Sequence, residues 1–229
     1  MRKAVITGDI IHSTQLNAEQ RNILFETIAN ALRRWDNDFK MRSETYRGDS
    51  FQCVIDNPRT ALRIVLIQKT FIRSLNLIEL FKEISPGKSK SPNKFKSPPR
   101  IFDARIVIGI GEVEYLSNRL ASSGGEAFQL SGQLLDSIKN KKQSIGIATN
   151  DEYNDELATE FKLLDAIISK TSALQCQVIF QKLLGVKEQQ IAEKLNIQQS
   201  AVNQRSMNGN WNAIEIMLHR FEKIYAHEE

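Results

Sequence analysis

The chain has 229 residues, of which 41% are hydrophobic and 25% charged, with a net charge of +4. That is enough for one large domain or two modest ones with their own cores, in an ordinary globular composition. No run approaches the roughly 18 apolar residues of a membrane span, and Ala4-Val5-Ile6 is too short for a signal peptide, so no membrane partner is expected.

Lys3–Thr7 reads as a short buried strand ending in the turn-prone Gly8-Asp9. Asn17–Phe39 places Ile23, Leu24, Ile28, Ala31, Leu32 and Trp35 at helical spacing, with Asn17 and Gln20 as a capping box. Thr45–Arg47 and Phe51–Ile55 flank Gly48-Asp49-Ser50 and read as a hairpin. Asn57-Pro58 opens a helix predicted to reach about Glu83, with Pro58 at its first position, where a missing N–H costs nothing. Ser85–Arg100 (SPGKSKSPNKFKSPPR) has almost nothing to bury and reads as a mobile basic loop, either a solvated insertion or a phosphate-contacting arm. Ile101–Val113 reads as a central strand. The small-residue loop Ser117–Gly125 leads to a helix over Glu126–Lys139, then a strand over Ser144–Ala148 and a helix over Asp151–Ser169.

The order β-α-ββ-α-β-α-β predicts the α+β class: a ferredoxin-like, palm-type domain over residues 1–150 that includes the basic loop 85–100. A helical connector follows over 151–170, and an all-α helix-turn-helix domain over 171–229. Gly109-Ile110-Gly111 falls inside a strand and lacks a third glycine before a helix, so it is not a dinucleotide fingerprint. Cys53 and Cys176 stand far apart without metal-ligand spacing, which predicts reduced thiols in a cytoplasmic protein. His12, His219 and His227 likewise show no ligand spacing.

Lys187–Arg205 (KEQQIAEKLNIQQSAVNQR) carries the helix-turn-helix signal. Ile191, Ala192 and Leu195 form one apolar face, Asn196 suits a left-handed turn, and Ile197 and Val202 return to the same core. A helix over Leu174–Leu184, ending at Gly185, completes a trihelical unit. Gln198, Gln199, Ser200, Asn203, Gln204 and Arg205, with Lys194, are candidate contacts to duplex DNA, because amides and guanidinium pair with base edges. A protein-contact or dimerisation role is the other reading. Charge favours neither: residues 171–229 hold 6 Lys/Arg against 6 Asp/Glu, and the basic excess resides in 85–100. A homodimer would gather Lys187, Lys194, Arg205 and Arg220 from two subunits.

Asp9 (ITGDIIHS) and Asp49 (YRGDSFQ) stand at matched places, one closing the first strand and one tipping the hairpin. Two such carboxylates and the Ile10 carbonyl could hold Mg2+ against a triphosphate. Taken singly, each Gly-Asp is ordinary turn chemistry.

The succession ITGDIIHS, RGDSF, RIVIGIGE and GGEAFQLSGQL resembles the motif order of the class III nucleotide cyclase palm. The whole chain resembles the SatD-like family, a cyclase-like domain followed by a helix-turn-helix. The resemblance implies metal coordination by Asp9, Ile10 and Asp49, and a nucleotide-phosphate role for Gly8, Ile11, His12 and Ser13, with Arg47, Gly48 and Arg105 as further candidates. The ribose- and phosphate-steadying asparagine and arginine of cyclases are replaced by Gln129 and Gln133. Losing one such preorganised donor costs about 10²–10³ in rate. The function expected is therefore a DNA-binding regulator whose palm senses a nucleotide or Mg2+. The alternative is a metal-dependent nucleotidyl cyclase or polymerase-like enzyme with an accessory helix-turn-helix.

Overall fold

A computed structural model describes residues 2–46, 49–76, 80 and 101–226. Five strands, β1 (Arg2–Ile11), β2 (Met41–Tyr46), β3 (Ser50–Ile55), β4 (Asp103–Glu112) and β5 (Ile145–Thr149), form one sheet in the order β2-β3-β1-β4-β5. All neighbours run antiparallel except β4 and β5, which are parallel. With α1 (Ala18–Asp38) between β1 and β2 and α2 (Ala61–Ser74) between β3 and β4, the first four strands make the split arrangement of ferredoxin-like domains.

Several expected boundaries move; β2, for one, starts at Met41 and not at Thr45. β1 does not stop at Thr7, and Gly8-Asp9 is not a turn: Gly8 pairs with Phe51 and Ile106, Asp9 with Ser50 and Arg105. Ladders on both sides satisfy the backbone groups and override the local turn preference. The helix predicted to reach Glu83 ends at Ser74, whose hydroxyl donates to the Phe71 carbonyl, and Leu75 is extended (ψ 124°). The basic stretch 85–100, Arg47, Gly48 and His227 lie outside the described residues.

Strand alternation sorts the side chains into two layers. Val5, Val54 and Val107 face α3 (Glu126–Ile138). Ile6, Cys53, Ile106, Ile108 and Ile147 belong to the main core, with α1, α2 and α4 (Asn154–Lys170). Residues 151–170, expected as a connector, thus supply a helix whose Leu157, Phe161, Leu164 and Ile168 are buried in that core. A Cβ on Gly109 would lie 2.3 Å from the Ala127 carbonyl oxygen and 2.6 Å from the Ser131 amide. The glycine is what lets α3 settle onto β4.

Four further helices follow among the described residues: α5 (Ala173–Leu183), α6 (Glu188–Leu195), α7 (Gln199–Asn208) and α8 (Trp211–Ile224). Ile179 and Leu183 of α5 and Ile214, Leu218 and Phe221 of α8 extend the main core beyond α2. Arg63 of α2 reinforces this contact through Glu222 at 2.7 Å and the Leu183 carbonyl at 3.2 Å. Val178, Ile191, Ala192 and Val202 form a smaller cluster under α6 and α7. Asn196 between these helices is left-handed (φ 51°, ψ 50°), and the Ile197 amide donates to the Ala192 carbonyl at 3.0 Å. Among the described residues no helix is long and apolar enough to cross a membrane.

Candidate functional site

The two acidic segments meet at one end of the sheet. Asp9 lies opposite Ser50 in the β1–β3 ladder, and the Ile10 amide donates to the Asp49 carbonyl at 2.8 Å. A strand residue presents its N–H and C=O to the same side, so the Ile10 carbonyl is directed toward the Asp49 segment. The Ser13 hydroxyl donates to Asp49 Oδ2 at 3.3 Å, and that serine is itself buried. His12, exposed and left-handed (φ 63°), makes the bend from β1 that brings Ser13 back. Ile11 is half-buried at the strand end.

Asp9 already has a partner. Arg105, its register neighbour on β4, places Nη1 3.3 Å from Oδ1 and 3.2 Å from Oδ2, in a pair largely screened from water. Gly8 has a packing role of its own: a Cβ there would fall 2.4 Å from the Phe51 ring. Arg47 and Gly48 lie outside the described residues.

The candidate metal donors, two carboxylates and a carbonyl, are all oxygens, the set that suits Mg2+. The described residues hold no group of three or more His, Cys, Asp or Glu placed for a metal. In donor chemistry the residues present fit Mg2+, which takes oxygen ligands and keeps several waters.

The other expected positions are dispersed. Gln129 and Gln133 are exposed on α3, away from Ser131, which meets Thr7 Oγ1 at 2.9 Å. Gln198, Gln199, Ser200, Asn203 and Gln204 are exposed at the start and along the outer side of α7, and Arg205 is half-buried. Lys194 on α6 is exposed and donates to Gln181 Oε1 at 3.3 Å.

One polar cluster lies beyond the sequence-level expectations. Lys69 of α2 is wholly buried, with Nζ 2.6 Å from the Ala104 carbonyl, 2.7 Å from Ser144 Oγ and 2.5 Å from Asp103 Oδ1. Arg73 binds the other Asp103 oxygen at 2.5 Å and the carbonyls of Ser169 and Thr171. Asp165 accepts from the Ser144 hydroxyl and amide. Burial pushes the Lys69 ammonium below the usual lysine range, opposed by the Asp103 charge. Two cations and two anions thus cross-link α2, β4, the start of β5 and the α4–α5 junction. The signal was two charges at i, i+4 inside the apolar run ALRIVLIQKTFIR.

The fold defines an α+β palm-type domain with Asp9 and Asp49 at one sheet end, joined to four C-terminal helices. No protein-family model matches the sequence. No curated protein matches it either. Among solved structures, the chain is similar to a bacterial light-regulated adenylyl cyclase (TM-score 0.44, 13% identity, 64% of this chain and 43% of that one). It is also similar to an adenylate cyclase of Trypanosoma brucei in its monomeric state (TM-score 0.44, 16% identity, 71% and 79%). Another structure of a bacterial light-regulated adenylyl cyclase gives a TM-score of 0.37 with 13% identity. The chain spans less than half the length of the first of these cyclases. Likeness at this level carries no chemistry across, and the fold assignment stands on strand order and register.

Proposed function

We propose that the palm domain binds a nucleoside triphosphate together with a divalent cation, in the manner of a cyclase-like domain. The observation that carries this reading is that Asp9 and Asp49 lie at the same end of neighbouring strands, with Arg105 on the first carboxylate and Ser13 on the second. When bound, Mg2+ neutralises triphosphate charge and polarises the phosphorus centre. Asp9, Asp49 and the Ile10 carbonyl hold the cation, and Arg105 pairs with a phosphate oxygen. Gly8, Ile11, His12 and Ser13 border the phosphates. Turnover in this class is attack of the ribose 3′-hydroxyl on the α-phosphorus with loss of pyrophosphate. The exposed Gln129 and Gln133 bring no cation to that step, which favours nucleotide binding over turnover.

A second reading concerns residues 188–208. The left-handed Asn196 turn and the exposed amides from Gln198 to Gln204 favour a helix-turn-helix that contacts duplex DNA, with the chain as a dimer. Together the two readings describe a nucleotide-responsive regulator, the organisation that the SatD-like motif order implies.

Calorimetry of Mg–ATP and Mg–GTP with the intact chain tests the first reading. Binding should require Mg2+ and weaken about tenfold or more in Asp9→Ala and in Asp49→Ala. Binding that is absent, or unchanged in both variants, overturns it. Cyclic nucleotide and pyrophosphate accumulating only while both aspartates are intact would promote the enzyme above the sensor. For the helices, duplex affinity should fall with rising salt and with Lys194→Ala combined with Arg205→Ala.

A further inference from the structure

Between the loop that follows α3 and the C-terminal half of α4 lies a cleft of about 390 Å³, whose lining includes Lys141, Lys142, Lys162, Asp165, Ser169 and Lys170. We propose that this cleft binds the linked phosphates of a small polyphosphorylated molecule, at a site separate from Asp9 and Asp49.

Four ammonium groups meet here from two banks. Lys141 and Lys142 come from the loop, and Lys162 and Lys170 from one side of α4, about 12 Å apart along its axis. All four are exposed, and none makes an ion pair among the described residues, whereas the neighbouring Lys139 is paired with Asp136 at 2.7 Å. Gathering four unpaired like charges around one concavity raises the free energy of the unliganded state, and a polyanion relieves it.

The one acid on the wall does not spoil the site. Asp165 is 6% exposed, and both its oxygens accept hydrogen bonds from Ser144, at 2.5 and 3.1 Å. Its charge is turned inward to the cluster that holds the buried Lys69. Ser169 offers a hydroxyl at the rim.

The shape selects the ligand class. Ammonium groups act as separate point charges, so two on each bank suit negative oxygens spread along a chain more than one compact anion. A volume of about 390 Å³ lies within the range of small-molecule sites. Duplex DNA, by contrast, needs an interface of about 600 Å² or more. The site does not depend on the metal reading of Asp9 and Asp49, since ammonium groups bind phosphate without a divalent cation.

Inorganic tripolyphosphate is the probe, titrated into the full chain in EDTA and followed by calorimetry and by amide shifts in 1H–15N spectra. Binding should move the amides of Lys141, Lys142 and Ser169. It should weaken about tenfold or more in Lys141→Gln with Lys142→Gln, and likewise in Lys162→Gln with Lys170→Gln. It should survive Asp9→Asn with Asp49→Asn, which separates this site from the palm. These lysines are exposed, so their variants keep the fold, verified by circular dichroism. Equal affinity in the lysine variants, shifts confined to residues outside the cleft, or a lysine-dependent preference for a duplex oligonucleotide over tripolyphosphate would overturn the proposal.

Discussion

Cys53 shows how burial fixes a residue's chemistry. Its thiol is wholly enclosed, with Gln68 Nε2 at 3.3 Å, and burial pushes its pKa up to about 12. Burial raises the Cys176 thiol as well. An unfolded thiol ionises near about 8.5. Because the native pKa is the higher one, the Cys53 contribution to stability is complete below about 8.5 and is lost as pH climbs toward 12. At pH 8 a thiol reagent should label neither cysteine of the native chain and both in guanidinium; native labelling would contradict the buried placement. Cys53→Ala should flatten the fall of stability with pH above about 9, read from urea midpoints. At this scale the sequence marks Asp9 and Asp49 as a matched pair, but it hides Arg105 as the partner of Asp9. That contact is made by strand register over 96 positions of separation, and no local pattern encodes it.

Elements were legible where their ends carry local chemistry. Asn17 with Gln20 forms the capping box expected for α1, and the Asn196 turn adopts the left-handed conformation that its residue type favours. Boundaries were lost where tertiary pairing outweighed local preference, as in the extension of β1 through Gly8-Asp9 to Ile11. The glycines of the β4–α3 layer separate the two kinds of constraint. Gly109 sits against the α3 backbone, so Gly109→Ala should destabilise by about 1–3 kcal/mol through overpacking. Gly132 lies inside α3, and a Cβ added there would meet nothing within 4 Å, so Gly132→Ala should stabilise by about 0.5–1 kcal/mol. Opposite shifts of the urea midpoint are expected. Two shifts of the same sign would mean that α3 does not rest on β4 as described.

At the scale of the molecule, the β-α-ββ-α-β-α-β order leads to the observed sheet, while the antiparallel β1–β4 pairing and parallel β4–β5 edge follow from which strands lie between others. The continuation of the core from α2 into α5 and α8 was not legible, because amphipathic periodicity tells which face is apolar and not what covers it. The same holds for the Lys69–Asp103–Arg73 cluster, which ties the sheet to the α4–α5 junction. These contacts fix the C-terminal helices against α2 and the main core. The proposed nucleotide site requires Asp9 and Asp49 to act together on a cation. Mn2+, which suits the same oxygen ligands as Mg2+, is a paramagnetic reporter for that cation. With Mn2+ and ATP present, the amide signals of Ile10, Ser13 and Ser50 should broaden selectively, and Asp49→Ala should abolish the effect. Broadening centred elsewhere, or unchanged in that variant, would contradict it.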